Sequence, residues 1–331
     1  MTSAARATAT TVGAVVATAA LGTAYASVIE RNWFALREFT VAVLPPGASS
    51  LRVLQISDIH LVPGQDRKLG WIHDLATLAP DFVVNTGDNL SHVDAVPPLL
   101  AALEPLLGLP GVFVLGSNDY YAPTPRNPAR YLVPRHAEGS SDRRPLPTLS
   151  LVRGLSAGGW VDLDNARTSV TLRGQRLDLV GVDDPHIKRD EYAAVSAPAS
   201  PSAALTVGVV HAPYQRVLDA MTADGASLVI AGHTHGGQLA VPGYGALVTN
   251  CDLDRSRAKG LSRWWPGAGV GAPRHGLDRV LPGRTAWPSS SAPADAAYLH
   301  VSAGLGTSRF APVRFACRPE ATLLTLTARA A

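Results

Sequence analysis

Five short apolar segments of this chain each end at a small or polar turn that carries a side chain able to bind a metal ion. The segments are rich in Val, Ile and Leu and have the length of buried β-strands. Unbroken apolar runs are typical of strands covered on both faces, as in a sheet layered between helices. The five segments are residues 51–57, 81–86, 111–115, 205–210 and 227–231.

The polar turns after these segments predict one shared site. Stretches with helix-like apolar spacing lie at residues 71–78, 97–103 and 214–221, so we expect an α/β protein. Open α/β sheets gather their ligands at the carboxyl ends of the strands. Any one of these turns alone is typical of an ordinary turn or helix cap, whereas the ordered set indicates a site. The candidate ligands are Asp58, His60, Asp88, Asn118, His211, His233 and His235.

The donor chemistry of this set favours two metal ions. Oxygen and imidazole donors without thiolate suit Mn²⁺, Fe²⁺/³⁺ or Zn²⁺. The set is too large for one ion, whereas two-metal hydrolytic sites hold their ions about 3.5–4 Å apart. The spacing of His233 and His235 lets each imidazole on a turn reach a different ion. Because Cys251 and Cys317 are the only cysteines, a disulfide scaffold and a cysteine-based zinc site are excluded.

The overall composition is that of a globular protein. Hydrophobic residues make up 46% of the 331 residues, which excludes a disordered chain. The formal net charge is only +3, whereas nucleic-acid-binding domains carry a stronger, clustered positive charge. We therefore expect no nucleic acid partner.

The turns also carry an ordered series of motifs that resembles the calcineurin-like metallophosphoesterase superfamily. The resemblance is strongest to a bacterial membrane-associated branch and spans roughly residues 50–327. It implies an α/β fold with a four-layer α-β-β-α sandwich of two mixed sheets. The motifs are Asp58-Ile59-His60, Gly87-Asp88, Gly116-Ser117-Asn118-Asp119, His211 and Gly232-His233-Thr234-His235-Gly236-Gly237-Gln238.

The resemblance implies two divalent metal ions (Mn²⁺, Fe²⁺/³⁺ or Zn²⁺) that share Asp88 as a bridging ligand. The first ion would also bind Asp58, His60 and His235, and the second would bind Asn118, His211 and His233. The implied reaction is hydrolysis of a phosphodiester or pyrophosphate bond by a metal-activated hydroxide. Its substrate would be a small phosphoester, such as a nucleotide, or a lipid head group. The residues expected to act in catalysis are Asp88, Asn118, Asp119 and His233.

The third motif departs from the family pattern, which usually reads Gly-Asn-His-Asp or Gly-Asn-His-Glu. An ungapped alignment places Ser117 at the ligand position, and a slip of one residue keeps Asn118 there. We prefer the slip, because an amide oxygen is a better ligand for a hard cation than a neutral hydroxyl. Either alignment lacks the histidine near the leaving group. The leaving group would then take its proton from Asp119 or from a water, or would depart without one. Substrates with good leaving groups are therefore expected.

The N-terminus predicts a membrane anchor or an export signal. Residues 7–29 contain no charge, a length sufficient to span a bilayer as a helix. Residues 24–26 fit the small-x-small pattern of a signal-peptidase site. We expect the protein at the cell membrane with the catalytic domain outside the cytoplasm, and an exported soluble form is the second interpretation. A disordered or amphipathic leader on a cytosolic enzyme is the third.

The expected domain organisation has three parts and two insertions. Residues 1–30 form the hydrophobic segment, residues 31–49 a linker, and residues 50–331 the metallophosphoesterase domain. The insertions lie near 122–150 and 262–295.

Three weaker features have two interpretations each. The arginines of the first insertion, Arg126, Arg130 and Arg135, bind phosphate or belong to a solvated loop. Arg263-Trp264-Trp265 contacts a membrane interface or packs on the domain. Asp183-Asp184-Pro185-His186 lines the cleft or forms a capped turn.

Two other functions remain open from the sequence. One is a non-catalytic metal-binding module on the same fold, because the usual leaving-group histidine is missing. The other is a cytosolic nucleotide phosphodiesterase.

Overall fold

Two six-stranded sheets form the body of the protein. The computed structural model describes residues 3–125, 143–269 and 292–330. In spatial order, the first sheet contains β1 (Ala35–Leu44), β14 (Glu320–Ala328), β2 (Leu51–Ile56), β3 (Phe82–Asn85), β4 (Gly111–Phe113) and β5 (Trp160–Asp162). The second contains β12 (Gly260–Trp264), β13 (Ala297–Val301), β9 (Leu228–Ala231), β8 (Leu205–Val210), β7 (Gln175–Val182) and β6 (Ala166–Leu172). A small hairpin pairs β10 (Ala240–Val241) with β11 (Gly245–Ala246).

Both sheets are mixed. In the first, β2, β3, β4 and β5 are parallel, while β14 is antiparallel to β2 and parallel to β1. In the second, β7, β8, β9 and β13 are parallel, with β6 and β12 antiparallel at the two edges. All five predicted ligand-bearing segments contain strands from the parallel parts of these two sheets: β2, β3 and β4 in the first, and β8 and β9 in the second.

Helices cover the outer faces of both sheets. On the first sheet, α2 (Asp66–Asp74), α3 (Val96–Leu107) and α5 (Thr148–Ala157) bury Ile72, Leu99 and Leu151 in one apolar cluster. On the second, α7 (Gln215–Ala223) buries Leu218 and Met221. A third cluster fills the space between the sheets. The predicted four-layer α-β-β-α sandwich is confirmed.

The alternation along β2 shows why most of its residues are apolar. Leu54 and Ile56 belong to the cluster under the helices. Leu51 and Val53 belong to the cluster between the sheets. Because successive side chains of a strand point to opposite faces, a strand buried on both sides carries apolar residues on both faces. Its one buried polar residue, Gln55, donates hydrogen bonds to the Thr86 hydroxyl at 3.1 Å and the Ala231 carbonyl at 2.8 Å.

The predicted linker over residues 31–49 is wrong for most of its length. Residues 35–44 form β1, which pairs in parallel with β14. Val41, Val43 and Leu44 are buried in the core between the sheets. Burial of these side chains adds the strand to the edge of the sheet, so the globular body begins well before residue 50.

The N-terminal hydrophobic helix is confirmed as a helix. α1 (Ser3–Ala24) continues through a π-helical turn, Tyr25–Ile29, into a 3₁₀ turn, Glu30–Asn32. The segment Thr10–Asn32 is long and apolar enough to cross a membrane, and little of it is buried against the domain.

The two insertions fall partly outside the described residues. Arg126, Arg130 and Arg135 lie outside them. In the second insertion, Trp264 ends β12 with only 1% of its surface exposed, and its Nε1–H donates to Oδ1 of Asp219 at 2.9 Å. The membrane interpretation of this tryptophan is therefore wrong, and its packing on the domain is confirmed.

Candidate metal centre

The candidate ligands follow the carboxyl ends of five strands from both sheets. Asp58 and His60 follow β2, Asp88 follows β3, Asn118 follows β4, His211 follows β8, and His233 and His235 follow β9. The two sheets meet directly at this end, since the backbone N–H of His233 donates to both carboxylate oxygens of Asp58, at 3.0 and 3.1 Å. The structure thus brings together side chains that are up to 177 positions apart.

Four residues form what we call the first ligand group. Asp58, His60, Asp88 and His235 are all buried, and each offers one ligand atom within 4.8 Å of the others. Nε2 of His60 lies 3.1 Å from Nε2 of His235 and 3.3 Å from Oδ2 of Asp88. Nε2 of His235 lies 3.6 Å from Oδ1 of Asp58. Lone-pair donors at such separations can hold a cation between them.

The second ligand group consists of Asn118, His211 and His233 and also surrounds Asp88. Nδ2 of Asn118 lies 2.8 Å from Oδ2 of Asp88, and Nε2 of His211 lies 3.5 Å from the same oxygen. Nδ1 of His233 lies 3.3 Å from Nε2 of His211. The carboxylate of Asp88 therefore contacts side chains of both groups.

The backbone at these positions has a conformation that ordinary residues rarely adopt. Positive φ angles occur at Asp58 (49°), His60 (45°), Asp88 (54°), His233 (69°) and His235 (51°). A residue other than glycine in the left-handed region costs about 1–3 kcal/mol of conformational free energy, and such residues cluster at functional sites. Most of the candidate ligands are thus held in strained turns.

Glycines allow these turns to approach one another. An added Cβ at Gly116 would lie 2.3 Å from Oδ1 of Asp88 and 2.7 Å from Nε2 of His211. An added Cβ at Gly304, where φ is +69°, would lie 2.5 Å from Cβ of Asp58. A larger residue at either position would displace a candidate ligand.

Hydrogen bonds on the far side of each imidazole fix its orientation. Nδ1 of His211 lies 2.7 Å from the backbone carbonyl of Thr86, and Nδ1 of His60 lies 3.2 Å from the hydroxyl of Ser91. Nε2 of His233 lies 3.3 Å from the carbonyl of Asn250. Partners of this kind orient metal-binding histidines. Sequence reasoning missed Ser91 and Asn250, because neither lies in a motif.

The imidazoles are mostly in the form that binds metal. Burial lowers the pKa of His60 to about 4 and holds the pKa values of His233 and His235 well below the usual value. These rings are therefore neutral at pH 7, with a lone pair available.

The carboxylate of Asp88 is charged. Burial alone would raise the pKa of Asp88, but His211, His60 and the hydrogen bond from the Asn118 backbone together hold that pKa well below its usual value. Burial would lower the pKa of His211, and Asp88 in turn raises it. A proton on His211 thus balances the charge of Asp88 at the place where a cation would do so.

Asp119 lies in the site region but faces the backbone. Its carboxylate accepts hydrogen bonds from the backbone N–H groups of Asp88, Asn89 and Gly116, at 2.8, 2.7 and 3.0 Å. Its side chain is fully buried, and burial raises its pKa to about 7. This placement disfavours the prediction that Asp119 protonates a leaving group and favours a positioning role in the Asp88 turn.

The third motif places Asn118 beside Asp88. The Asn118 backbone N–H donates to Oδ1 of Asp88, and its side-chain amide donates to Oδ2, both at 2.8 Å. The hydroxyl of Ser117 lies 3.4 Å from the Asn118 amide nitrogen. Rotation of the amide by half a turn would present its oxygen to a cation.

The segment 183–186 takes part in the site as well as forming a turn. Asp184 caps the turn by accepting from the backbone N–H of His186 at 2.8 Å. The ring of His186 lies 4.5 Å from the ring of His233, centroid to centroid, and its Nδ1 lies 3.1 Å from the hydroxyl of Tyr214. Both interpretations made from the sequence therefore hold.

Carboxylate, amide and imidazole donors at the joined ends of two stacked mixed sheets define a metal-dependent phosphoester hydrolase. The family model of the calcineurin-like phosphoesterases matches residues 51–237, which is more than half of the chain. The protein belongs to that family, and the resemblance stated from the motifs is confirmed.

The chain is similar to metallophosphoesterases of bacteria and of Danio rerio. It is 24% identical over 326 residues to the uncharacterized metallophosphoesterase YkuE of Bacillus subtilis, covering 93% of this chain and 91% of that one. It is 24% identical to an uncharacterized metallophosphoesterase of Aquifex aeolicus, covering 90% and 94%. It is 27% identical to a transmembrane protein with metallophosphoesterase domain of Danio rerio, covering 61% of this chain and 44% of that relative.

Proposed function

We propose that the protein is a dinuclear-metal phosphoesterase that hydrolyses phosphodiester or pyrophosphate bonds in a nucleotide-type or lipid-linked substrate at a membrane surface. The observation that carries this proposal is the position of Asp88. Its carboxylate contacts His60 of the first ligand group and both Asn118 and His211 of the second. A single shared carboxylate between two sets of donors is the arrangement that two-metal hydrolytic sites use.

The chemistry of the donors supports two divalent ions of the Mn²⁺, Fe²⁺/³⁺ or Zn²⁺ type. Both ligand groups offer oxygen and imidazole nitrogen, which these metals accept. Cys251 and Cys317 are buried and lie outside both groups. When bound, such ions lower the pKa of a coordinated water and neutralise charge on the phosphoryl oxygens.

The chain itself contributes position and charge. Asp88 supplies negative charge between the two ligand groups, and Asn118 holds that carboxylate by two hydrogen bonds. His233 reaches into the second group while its backbone N–H fixes Asp58 of the first. Asp119 holds the Asp88 turn through backbone amides.

The absence of an imidazole at the third motif supports a preference for good leaving groups. Ser117 and Asn118 have no proton to give at neutral pH, and Asp119 is engaged with backbone amides. General acid catalysis is worth about 10²–10⁴-fold in rate. Phosphodiesters of acidic alcohols and pyrophosphates, whose leaving groups need no proton, are the substrates this site suits.

The N-terminal helix supports the proposal that the protein is anchored in the cell membrane with its catalytic domain outside the cytoplasm. The segment Thr10–Asn32 has the length and apolarity of a membrane span. An exported soluble form would follow from cleavage near residues 24–26. Cell fractionation with protease accessibility distinguishes these outcomes from a cytosolic nucleotide phosphodiesterase, which would be found in the soluble cytoplasmic fraction.

A second candidate is a non-catalytic metal-binding module, favoured by the missing imidazole. Metal analysis of the purified full chain, combined with an assay on bis-p-nitrophenyl phosphate with and without Mn²⁺, decides between them. We expect two ions per chain and Mn²⁺-dependent turnover that Asp88→Asn abolishes. Bound metal without turnover of any phosphoester would instead support the module.

A further inference from the structure

The base of the N-terminal helix is built into the protein body instead of being a free tether. The backbone carbonyl of Ala26 accepts a hydrogen bond from the N–H of Arg314 at 3.0 Å. The Glu30 side chain is only 3% exposed, and its Oε1 accepts from the N–H of Cys317 at 2.6 Å. The ring of Tyr25 packs edge-on against Phe315, with the centroids 6.2 Å apart.

The loop that contains Arg314 and Cys317 also contacts the first ligand group. The thiol of Cys317 donates to the backbone carbonyl of His235 at 3.3 Å. The guanidinium of Arg314 is fully buried and donates to the carbonyls of Ala303, Gly304 and Gly306, at 2.6, 3.0 and 2.6 Å. One residue, Cys317, thus connects Glu30 of the helix base with His235 of the metal centre.

Exposed apolar side chains gather around this junction. In the described part of the chain, seven large apolar side chains outside the N-terminal helix and its extension are at least 40% exposed. Only Leu149 and Val161 of these belong to other parts of the fold. The remaining five, which we call the apolar rim, are Trp33, Leu239, Val241, Phe310 and Phe315.

Backbone hydrogen bonds hold the rim together. The N–H of Ala240 donates to the carbonyl of Phe315 at 2.9 Å, and the N–H of Phe315 donates to the carbonyl of Gln238 at 3.1 Å. The side-chain amide of Gln238 donates to the carbonyl of Ala311 at 2.7 Å. The rim therefore joins the segment that follows His235 to the loop that holds the helix.

Cationic side chains accompany the rim. The guanidinium of Arg318 lies 4.2 Å from the ring centre of Trp33, and that of Arg309 lies 5.8 Å from the ring centre of Phe310. Arg31 donates to the carbonyl of Pro312 at 3.3 Å. Aromatic rings mixed with arginines are typical of the layer where a protein meets lipid head groups.

We propose that the apolar rim is seated in the head-group layer of the membrane that the N-terminal helix crosses, and that the metal centre there hydrolyses the phosphodiester of a lipid head group. The occupant is the bilayer because the rim is continuous with the helix, whose side chains Val15, Val16 and Leu21 are more than 60% exposed. The choice of a lipid substrate rests on the proposed phosphoesterase function. The placement of the rim does not.

The placement is tested by fluorescence depth measurements on the full chain. Val241→Cys and Phe310→Cys are labelled with the environment-sensitive dye NBD. Leu149→Cys and Val161→Cys are the matched exposed controls, and the parent protein, treated with dye in parallel, measures any labelling of the buried native thiols. Each protein is reconstituted in vesicles of equal parts phosphatidylcholine and phosphatidylglycerol that contain a lipid with a nitroxide near the head group.

We expect the dye at positions 241 and 310 to emit at shorter wavelength and to be quenched several-fold more than at positions 149 and 161. Equal quenching at all four positions would overturn the placement. Shielding of the two rim positions without lipid quenching, together with a dimer in detergent, would also overturn it, because a second copy would then cover the rim.

The lipid substrate is tested with the p-nitrophenyl ester of phosphatidic acid in the same vesicles. The water oxygen bonds to phosphorus as the bond from phosphorus to the nitrophenyl oxygen breaks, and phosphatidic acid, p-nitrophenolate and one proton released to solvent form. We expect the double variant Val241→Ser/Phe310→Ser to lose several-fold in rate on this lipid while its rate on soluble bis-p-nitrophenyl phosphate is unchanged.

The outcomes separate the two proposals. Hydrolysis of the soluble ester without hydrolysis of the lipid by the parent protein would overturn the lipid substrate. Equal loss on both esters would show that the rim acts on the fold and would overturn its role at the membrane. Failure on both esters would contradict the proposed function, and the quenching measurement would still decide the placement of the rim.

Discussion

The two ligand groups around Asp88 differ in how completely their own side chains form a metal site. The first group has four buried residues whose ligand atoms all lie within 4.8 Å. In the second, the amide of Asn118 and the imidazole of His211 contact Asp88 directly, while Nδ1 of His233 lies 3.3 Å from Nε2 of His211. The ligand atoms of the first group thus converge on one point, whereas those of the second group are more open.

The difference shows where this chain departs from its family. The compact group comes from the motifs that match the family pattern, at residues 58–60 and 233–235. The open group contains Asn118, from the motif that lacks the usual histidine. We infer that the first group sets metal affinity and that the second sets substrate preference.

The largest effect is expected from Asp88→Asn, which removes the charge shared by both groups. Activity on bis-p-nitrophenyl phosphate should fall by about 10⁴-fold or more, as for loss of a central catalytic residue, and metal content should fall for both ions. Elemental analysis and steady-state kinetics measure the two effects. The control is Asp178→Asn, which removes a buried carboxylate paired with Arg176 away from the centre. A variant of Asp88 that retains both ions and activity would refute the shared role.

The next largest effect separates the groups. His60→Ala should remove the ion of the first group and His211→Ala that of the second, so each variant should bind one ion with a rate about 10³-fold lower. Metal stoichiometry measured after dialysis checks this. His73→Ala, at an exposed histidine, should retain both ions. If His60→Ala and His211→Ala both lose all metal, the sites do not fill independently.

A smaller effect is expected from restoring the family motif. Ser117→Asn/Asn118→His adds the missing imidazole, and it should raise the rate on esters with poor leaving groups by about 10²-fold, the scale of general acid catalysis. The rate on p-nitrophenyl esters should hardly change, because their leaving group needs no proton. Rates across a series of aryl and alkyl esters measure the difference, with Ser117→Asn as the control. An unchanged dependence on leaving-group pKa would contradict the proposed preference.

The smallest effect is expected behind the first group. Ser91→Ala removes the hydroxyl 3.2 Å from Nδ1 of His60, and metal affinity should fall about 10-fold, as for other residues that orient a ligand. Competition with a fluorescent chelator measures the affinity. Thr222→Ala, which removes a hydroxyl that donates to the Leu218 carbonyl within α7, should leave the affinity unchanged. An equal loss in both variants would indicate a general effect on stability.

Much of this arrangement follows from local sequence. The parallel strands that precede the ligands are buried on both faces, so they are largely apolar, and each ends just before its polar ligand, as at Ile56 before Asp58 and Ala231 before His233. Beyond the motifs, the sequence predicts a linker where the structure has β1. A mixed pattern at a sheet edge, here half-exposed at Phe39 and buried at Val41, is a weaker signal for a strand than a continuous apolar run.

The role of Asp119 shows a second limit. A carboxylate in a catalytic motif can face a substrate or its own backbone, and only the positions of the amides at Asp88 and Gly116 distinguish the two.

The apolar rim shows a third limit of prediction from the sequence. Leu239 and Phe315 are 76 positions apart and pair through an isolated bridge, so no local pattern marks them as neighbours. By contrast, the pattern Arg263-Trp264-Trp265 is typical of a membrane contact, yet Trp264 is buried in the domain.

The sequence by itself determined the five ligand-bearing strands, the donor atoms and the apolar helix, because these depend on the chemistry and spacing of residues close in the chain. Tertiary structure decided which donors share Asp88, which ligands sit at positive φ, and how the base of the helix meets His235. Those features depend on contacts between distant loops, where the cost of a strained backbone is offset by packing and hydrogen bonds that form only in the folded chain.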